Sequence, residues 1–154
     1  MSTRPPIYLY TDGAASGNPG PGGYGVVLVC GDKRREMSGG FARTTNNRME
    51  LLAVIKGLEA IKWEGADVRV YSDSTYVVNT LTQNWKRKKN NDLWARLDAL
   101  TPRFHVEYNW IKGHAGHPEN ERCDRLAVHA YSQDGLPEDT GYTETEDNNK
   151  LFEQ

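Results

Sequence analysis

The sequence predicts an α/β domain. Three observations predict it. Two apolar strand-like runs, Ile7–Asp12 and Val68–Asp73, each end in an acid and are separated by a long amphipathic helical pattern. The chain opens with what reads as an antiparallel meander. Its second half alternates helical and strand-like periods.

In Ile7-Tyr8-Leu9-Tyr10-Thr11-Asp12-Gly13, Ile7, Leu9 and Thr11 share one face and Tyr8, Tyr10 and Asp12 the other, with Gly13 expected to release the chain from the strand. A carboxylate at the carboxyl end of such a strand lies where open α/β sheets bind ligands. Gly13 to Gly23 is rich in glycine and proline and reads as a tight loop with bare backbone, for which an ordinary turn is a sufficient explanation. It has neither the lysine of a P-loop nor the spacing of a dinucleotide fingerprint. Tyr24–Cys30 reads as a strand, Gly31-Asp32 as a two-residue hairpin turn, and Lys33–Phe41 as the returning edge strand.

The first long helix opens around Arg43–Glu50 and buries Leu51, Val54, Ile55, Leu58 and Ile61; Glu64-Gly65 ends it. Asn47 and Glu50 have capping-box spacing, which gives Glu50 a purely structural explanation. Glu50 also shares a face with Val54 and Ile61, and a carboxylate aimed at the core needs a partner. The polar cluster Thr44–Asn47 is a plausible phosphate cradle at a helix N-terminus. Asp73 ends the second acid-tipped strand, and a helix from Ser74 would make it an N-cap or N′ residue.

Trp85-Lys86-Arg87-Lys88-Lys89 is the one dense basic run. A solvated loop explains the charges; the adjoining indole suits stacking on sugar or base while the cations pair with phosphates. Trp94 and Leu97 read as core of a capped helix, and Val106–Trp110 as the last strand. A glycine-punctuated loop with His114 and His117 follows, then a helix from Pro118 whose buried stripe is Cys123, Leu126, Ala127, Ala130 and Tyr131. Glu121 and Arg125 have i, i+4 pairing spacing, whereas Asp124, beside the apolar stripe, has no structural partner in sight.

The length of 154 residues fits one domain with a tail. No apolar run approaches the roughly 18 residues of a membrane span, and Met1–Pro6 lacks a secretion signal's apolar stretch. Two cysteines are too few for a disulfide scaffold and suggest a reducing compartment. From Ser132 on there are seven acids and one base; residues 1–131 hold 18 bases and 14 acids, a mildly basic body compatible with a polyanionic partner. The expected division is a catalytic domain over 1–142, with a docked stub around Leu136–Tyr142, and an acidic disordered tail over 143–154.

Asp12, Glu50, Asp73 and Asp124 are the acids to explain. Brought to 4 Å, two carboxylates repel by about 4 kcal/mol at an effective dielectric near 20. An all-oxygen set points to Mg²⁺ or Mn²⁺, and two such ions suit in-line attack on a phosphodiester. Either His114 or His117 is placed to move a proton beside such a site.

Thr11-Asp12-Gly13, Gly17-Asn18-Pro19-Gly20-Pro21-Gly22-Gly23-Tyr24-Gly25, Thr44-Thr45-Asn46-Asn47-Arg48-Met49-Glu50-Leu51, Asp73-Ser74 and Lys112-Gly113-His114-Ala115-Gly116-His117-Pro118-Glu119-Asn120-Glu121-Arg122-Cys123-Asp124, in that order, resemble bacterial type 1 ribonuclease H from about Ile7 to Tyr142. The resemblance implies a ribonuclease H-like α/β fold, a five-stranded mixed sheet of three antiparallel and two parallel strands flanked by helices. It implies an endoribonuclease that cuts the RNA strand of RNA/DNA hybrids with two divalent ions, leaving 5′-phosphate and 3′-hydroxyl ends, in a cytoplasmic monomer. It carries over Asp12, Glu50, Asp73 and Asp124 as metal-binding catalytic acids and selects His114 for proton transfer or product release. It makes Asn18, Asn46 and Asn47 minor-groove contacts and Thr45 a DNA-phosphate contact; the 2′-hydroxyl that marks RNA suits such hydrogen-bonding groups. Two departures stand out: Thr75 replaces a substrate-touching glutamine, and the basic protrusion is shortened to Trp85, Lys86, Arg87, Lys88 and Lys89, so weaker hybrid binding and a higher KM are expected. A non-catalytic hybrid-binding module is the alternative from another class, and an integrase-like or resolvase-like nuclease the rival enzyme.

Overall fold

The computed structural model describes residues 4–113 and 115–142. Strands β1 (Ile7–Ala15), β2 (Gly20–Cys30) and β3 (Lys33–Thr44) form the meander; α1 (Asn46–Glu59) leads to β4 (Asp67–Ser72); α2 (Thr75–Thr82) and α3 (Asn91–Leu100) lead through a 3₁₀ turn to β5 (His105–Trp110); α4 (Pro118–Tyr131) closes the series. The sheet order is β3-β2-β1-β4-β5, antiparallel across β3, β2 and β1 and parallel across β1, β4 and β5. This is the five-stranded mixed sheet that the motifs imply.

Alternation along β1 sorts the two layers. Ile7 and Leu9 are buried with their cross-strand neighbour Leu28 and with Val68 and Val70 beneath α1. The predicted stripe of α1 is buried in full, and burial runs almost unbroken from Arg48 to Leu58. A helix enclosed on nearly all sides also takes its polar residues inside, which is why Arg48 and Glu50 are both buried. On the other face α4 lies against the backbone of β2. A Cβ at Gly25 would collide with the carbonyl of Cys123, and one at Gly23 would stand 2.5 Å from that of Ala127. These two glycines let a helix rest directly on a sheet. Trp94 is core, as predicted, its indole N–H donating to the Tyr76 hydroxyl at 3.0 Å.

Three local expectations are corrected. First, β1 does not end at Gly13: Asp12, Gly13, Ala14 and Ala15 pair with Gly25, Tyr24, Gly23 and Gly22. The glycine-rich stretch is therefore mostly ladder, with only Ser16–Pro19 between the strands. Gly13, Gly22 and Gly23 serve close packing against α1 and α4, while Gly17, at φ 93°, lies in the short connection and Gly20 borders it. Second, α1 starts earlier than a cap at Asn47 requires. Thr45 is the N-cap, its hydroxyl accepting the Arg48 N–H at 3.3 Å, so Glu50 lies beyond the first turn and forms no capping box. Third, α1 stops before Glu64-Gly65, because its last turn tightens, with Ile61 N–H bonding to the Leu58 carbonyl at 3.1 Å.

The predicted stub at Leu136–Tyr142 packs back on the meander, the Pro137 carbonyl accepting the Ala42 N–H at 2.8 Å. The expected tail over 143–154 lies outside the described residues.

Gly25→Ala should lower the melting temperature by about 5 °C or more, since the methyl group meets backbone that cannot rotate away. Thermal unfolding by circular dichroism checks this; an unchanged melting temperature would mean that α4 can lift at no cost.

Candidate active site

The site is assembled at the carboxyl end of β1. Gly13 decides its geometry: a Cβ there would overlap the Met49 carbonyl carbon and the Glu50 nitrogen, so only glycine lets α1 approach β1 this closely. At that distance the Gly13 N–H is shared between two carboxylates, Asp12 Oδ1 at 2.9 Å and Glu50 Oε1 at 2.6 Å. Asp73 arrives from β4. Tyr10 pairs with Tyr71 in the parallel ladder, and two residues beyond them come Asp12 and Asp73, at the same end of the sheet. Ser74 is the N-cap of α2, accepting the Val77 N–H at 3.1 Å, so the Asp73 carboxylate is not spent on capping. Its backbone carbonyl accepts the Trp110 indole N–H at 3.1 Å, and a Cβ at Gly113 would lie 2.6 Å from Asp73 Oδ2. The end of β5 and the segment after it thus wrap Asp73 closely, a role for Trp110 and Gly113 that sequence reading missed.

Asp12, Glu50 and Asp73 each present a carboxylate oxygen within 4.8 Å of the others. Asp124 stands outside that cluster, half-buried on α4. Its neighbour Cys123 is tied by its thiol to the Tyr10 carbonyl at 3.3 Å, and the Asp124 charge is felt at Asp12. Burial is the largest cause that pushes the Asp12 carboxyl up, to about 8, followed by the charge of Asp73; hydrogen bonds from Glu50 and Gly13 oppose the rise. Glu50 is raised well above the usual carboxylate range by burial and then by Asp12 and Asp73. Three hard oxygen donors that cannot all ionise without a cation fit Mg²⁺ or Mn²⁺ and do not suggest a softer metal.

His114 lies outside the described residues. Asn18, Asn46 and Asn47 are exposed beside the cluster, with Thr45 half-buried. Asn18 Oδ1 accepts the Asn46 N–H, and Asn46 Oδ1 accepts the Ala15 N–H, each at 3.1 Å. The basic run forms an irregular connection between α2 and α3, with Trp85 47% exposed and Lys86 and Lys88 exposed. Arg87 turns back to Asp98 at 2.6 Å and lies 4.6 Å from the Trp94 ring centroid. Thr75 begins α2 directly after its cap.

The RNase H family model matches residues 4–132. The chain belongs to the RNase H family. It is 54% identical to a ribonuclease H of Desulforamulus reducens, over 86% of this chain and 92% of that one. The N-terminal RNase H domain of a Mycobacterium tuberculosis protein, solved as a fusion with maltose binding protein, superposes with a TM-score of 0.72 at 32% identity, covering 82% of this chain and 93% of that one. LC11-RNase H1, solved in complex with an RNA/DNA hybrid, gives a TM-score of 0.68 at 28% identity over 82% and 96% of the two chains. Family and fold therefore agree with the motifs, and the enzyme class they imply is a ribonuclease H. Among the described residues no helix is long and apolar enough to cross a membrane.

The raised carboxyls have a signed consequence. The folded chain keeps a proton on Asp12 that the unfolded chain releases, so without metal this site costs stability as pH rises from about 4 to about 8. In EDTA, Asp12→Asn should melt above the wild type at pH 8, with the difference shrinking toward pH 5. Mg²⁺ should raise the wild-type melting temperature at pH 8. Equal melting of the two chains at pH 8 in EDTA would contradict the electrostatics described here.

Proposed function

We propose that this chain is an endoribonuclease that hydrolyses the RNA strand of RNA/DNA hybrids by a two-metal-ion mechanism, leaving 5′-phosphate and 3′-hydroxyl ends. The observation that carries the reading is the convergence of Asp12, Glu50 and Asp73 within 4.8 Å, two of them buried with raised proton affinity. Membership of the RNase H family supports the substrate class.

Asp12, Glu50, Asp73 and Asp124 would hold the divalent ions. A bound pair of Mg²⁺ ions, with Mn²⁺ as substitute, supplies Lewis acidity to the scissile phosphate and relieves the carboxylate repulsion. Gly13 holds Asp12 and Glu50 through its N–H before any ligand arrives. His114 is assigned proton transfer or product release on the strength of the motif alone.

The substrate contacts follow from donor accounting. The side-chain oxygens of Asn18 and Asn46 are committed to backbone N–H groups, which leaves their amide NH₂ groups to donate to minor-groove acceptors and the 2′-hydroxyl. Asn47 stands exposed next to them. The Thr45 hydroxyl accepts from Arg48 N–H and keeps its own hydrogen for a DNA phosphate oxygen. Trp85 would stack on the hybrid, Lys86, Lys88 and Lys89 would pair with phosphates, and Arg87 would add its charge from its seat on Asp98. A cytoplasmic monomer is the working form we propose, with Cys30 and Cys123 as free thiols.

The test is a labelled RNA/DNA hybrid incubated in Mg²⁺, Mn²⁺ or EDTA, with RNA duplex and DNA duplex as controls. Metal-dependent cutting of the hybrid's RNA strand alone, lost in Asp12→Asn by about 10³-fold or more, is expected. Hybrid binding without cutting in either metal would replace the enzyme by a binding module.

A further inference from the structure

Arg48 is 1% exposed and has all five N–H donors engaged. Nε and Nη2 donate to Asp139 at 2.7 and 3.1 Å, Nη1 and Nη2 to Asp92 at 2.9 and 2.7 Å, and Nη1 also to Asn90 Oδ1 at 3.2 Å. The three acceptors come from two separate parts of the chain, the start of α3 and the stub after α4. Asn90 ends the basic run and caps α3, Asp92 lies in the first turn of α3, and Asp139 belongs to the stub after α4. Arg48 itself sits in the first turn of α1, two residues after Asn46 and two before Glu50. One guanidinium therefore joins the asparagine-bearing start of α1 to the far end of the Trp85 loop.

The stub is fitted to that junction. Asp139 Oδ2 also accepts the Thr44 hydroxyl at 2.7 Å, and its carbonyl accepts the Tyr142 N–H at 3.1 Å. A Cβ at Gly141 would collide with Asp92 Oδ2 and stand 2.6 Å from Arg48 Nη2, so the backbone there lies over the ion pair with no room for a side chain. These residues follow the family match, which ends at residue 132.

We infer that Asp139 is a positioning residue for hybrid binding: by completing the shell around Arg48 it sets the separation between the Asn18/Asn46/Asn47 surface and the Trp85 loop. Without Asp139 the guanidinium keeps Asp92 and Asn90, yet two of its five donors lose their acceptor in a buried place, and the two surfaces lose their common anchor. The effect falls on substrate affinity, because Glu50 keeps its own hold on Gly13. The inference rests on the hybrid reading above.

The experiment compares wild type, Asp139→Asn, Asp139→Glu and Gly141→Ala; the last displaces the stub and leaves every charge in place. Steady-state cleavage is measured well below the lowest melting temperature of the set, and hybrid binding is followed by fluorescence anisotropy in EDTA. The expected result for Asp139→Asn and Gly141→Ala is a KM and a hybrid Kd each raised about fivefold or more. The kcat and the Mg²⁺ concentration for half-maximal rate should stay within about twofold of wild type. Asp139→Glu should recover part of the affinity. A lower melting temperature with unchanged KM and Kd would make the stub merely structural and overturn the inference. A fall in kcat at unchanged KM would also overturn it. Should Asp139→Asn not fold, Asp139→Glu and Gly141→Ala carry the same readouts. If the wild type cuts no hybrid the functional reading fails, and the anisotropy series separately tests whether the stub governs hybrid affinity.

Discussion

A single backbone N–H, that of Gly13, is shared by the carboxylates of Asp12 and Glu50, and the candidate site depends on that contact. Any side chain at position 13 would force α1 away from β1. Glu50 would then withdraw from the end of the strand and the carboxylate cluster would open. The remaining elements are arranged around this approach. The parallel pairing of β4 with β1 brings Asp73 to the same sheet end. The bare backbone of Gly23 and Gly25 lets α4 settle on the opposite face, with Cys123 bonded to the Tyr10 carbonyl and Asp124 one residue further on. Close approach of backbones, rather than any large apolar contact, is what concentrates the acids.

Helix α1 carries two buried ionisable residues that meet opposite fates two positions apart. Arg48 is surrounded by acceptors and is held firmly in its charged form by Asp92 and Asp139. A buried ion pair of this kind is weak evidence for net stability, and because Arg48 has two acids and Asn90 as acceptors, losing one acid leaves its charge partly compensated. Glu50 is surrounded by like charges and is pushed toward its neutral form. The first residue makes the helix start rigid; the second keeps a local conflict that a cation would resolve. Sequences that fold well are locally consistent almost everywhere, and the violations collect at functional sites. The neighbourhood of Asp12 and Glu50 is such a violation.

The acid-bearing strands were legible because strand period and burial are local properties: Asp73 directly follows β4, although β1 runs three residues past Asp12. Spacing foretold the stripe of α1 and, in α4, Cys123, Ala127 and Ala130, while Leu126 and Tyr131 are only half-buried. Glu50 was ambiguous for a physical reason. Capping-box spacing is satisfied by Asn47 and Glu50, and only the start of α1 two residues earlier, with Thr45 as cap, removes that explanation. The glycine-rich stretch after Asp12 misled for a related reason. Glycine suits both turns and close backbone contacts, and the sequence does not say which helix lies over which strand. Arg48 gave no signal, since Asn90, Asp92 and Asp139 lie 42, 44 and 91 positions away and nothing in the local pattern links them.

By itself the sequence determined the α/β class, the meander, the buried helix faces, the set of acids worth explaining and, through its ordered motifs, the family. Those features rest on periodicity, caps and residue types within a few positions of one another. The tertiary structure decided that Asp12, Glu50 and Asp73 meet, that Asp124 stands beside rather than within their cluster, and that the stub at Asp139 completes the shell of Arg48. Those facts depend on sheet register and on the distance between helix and sheet, quantities set by packing between residues far apart in the chain.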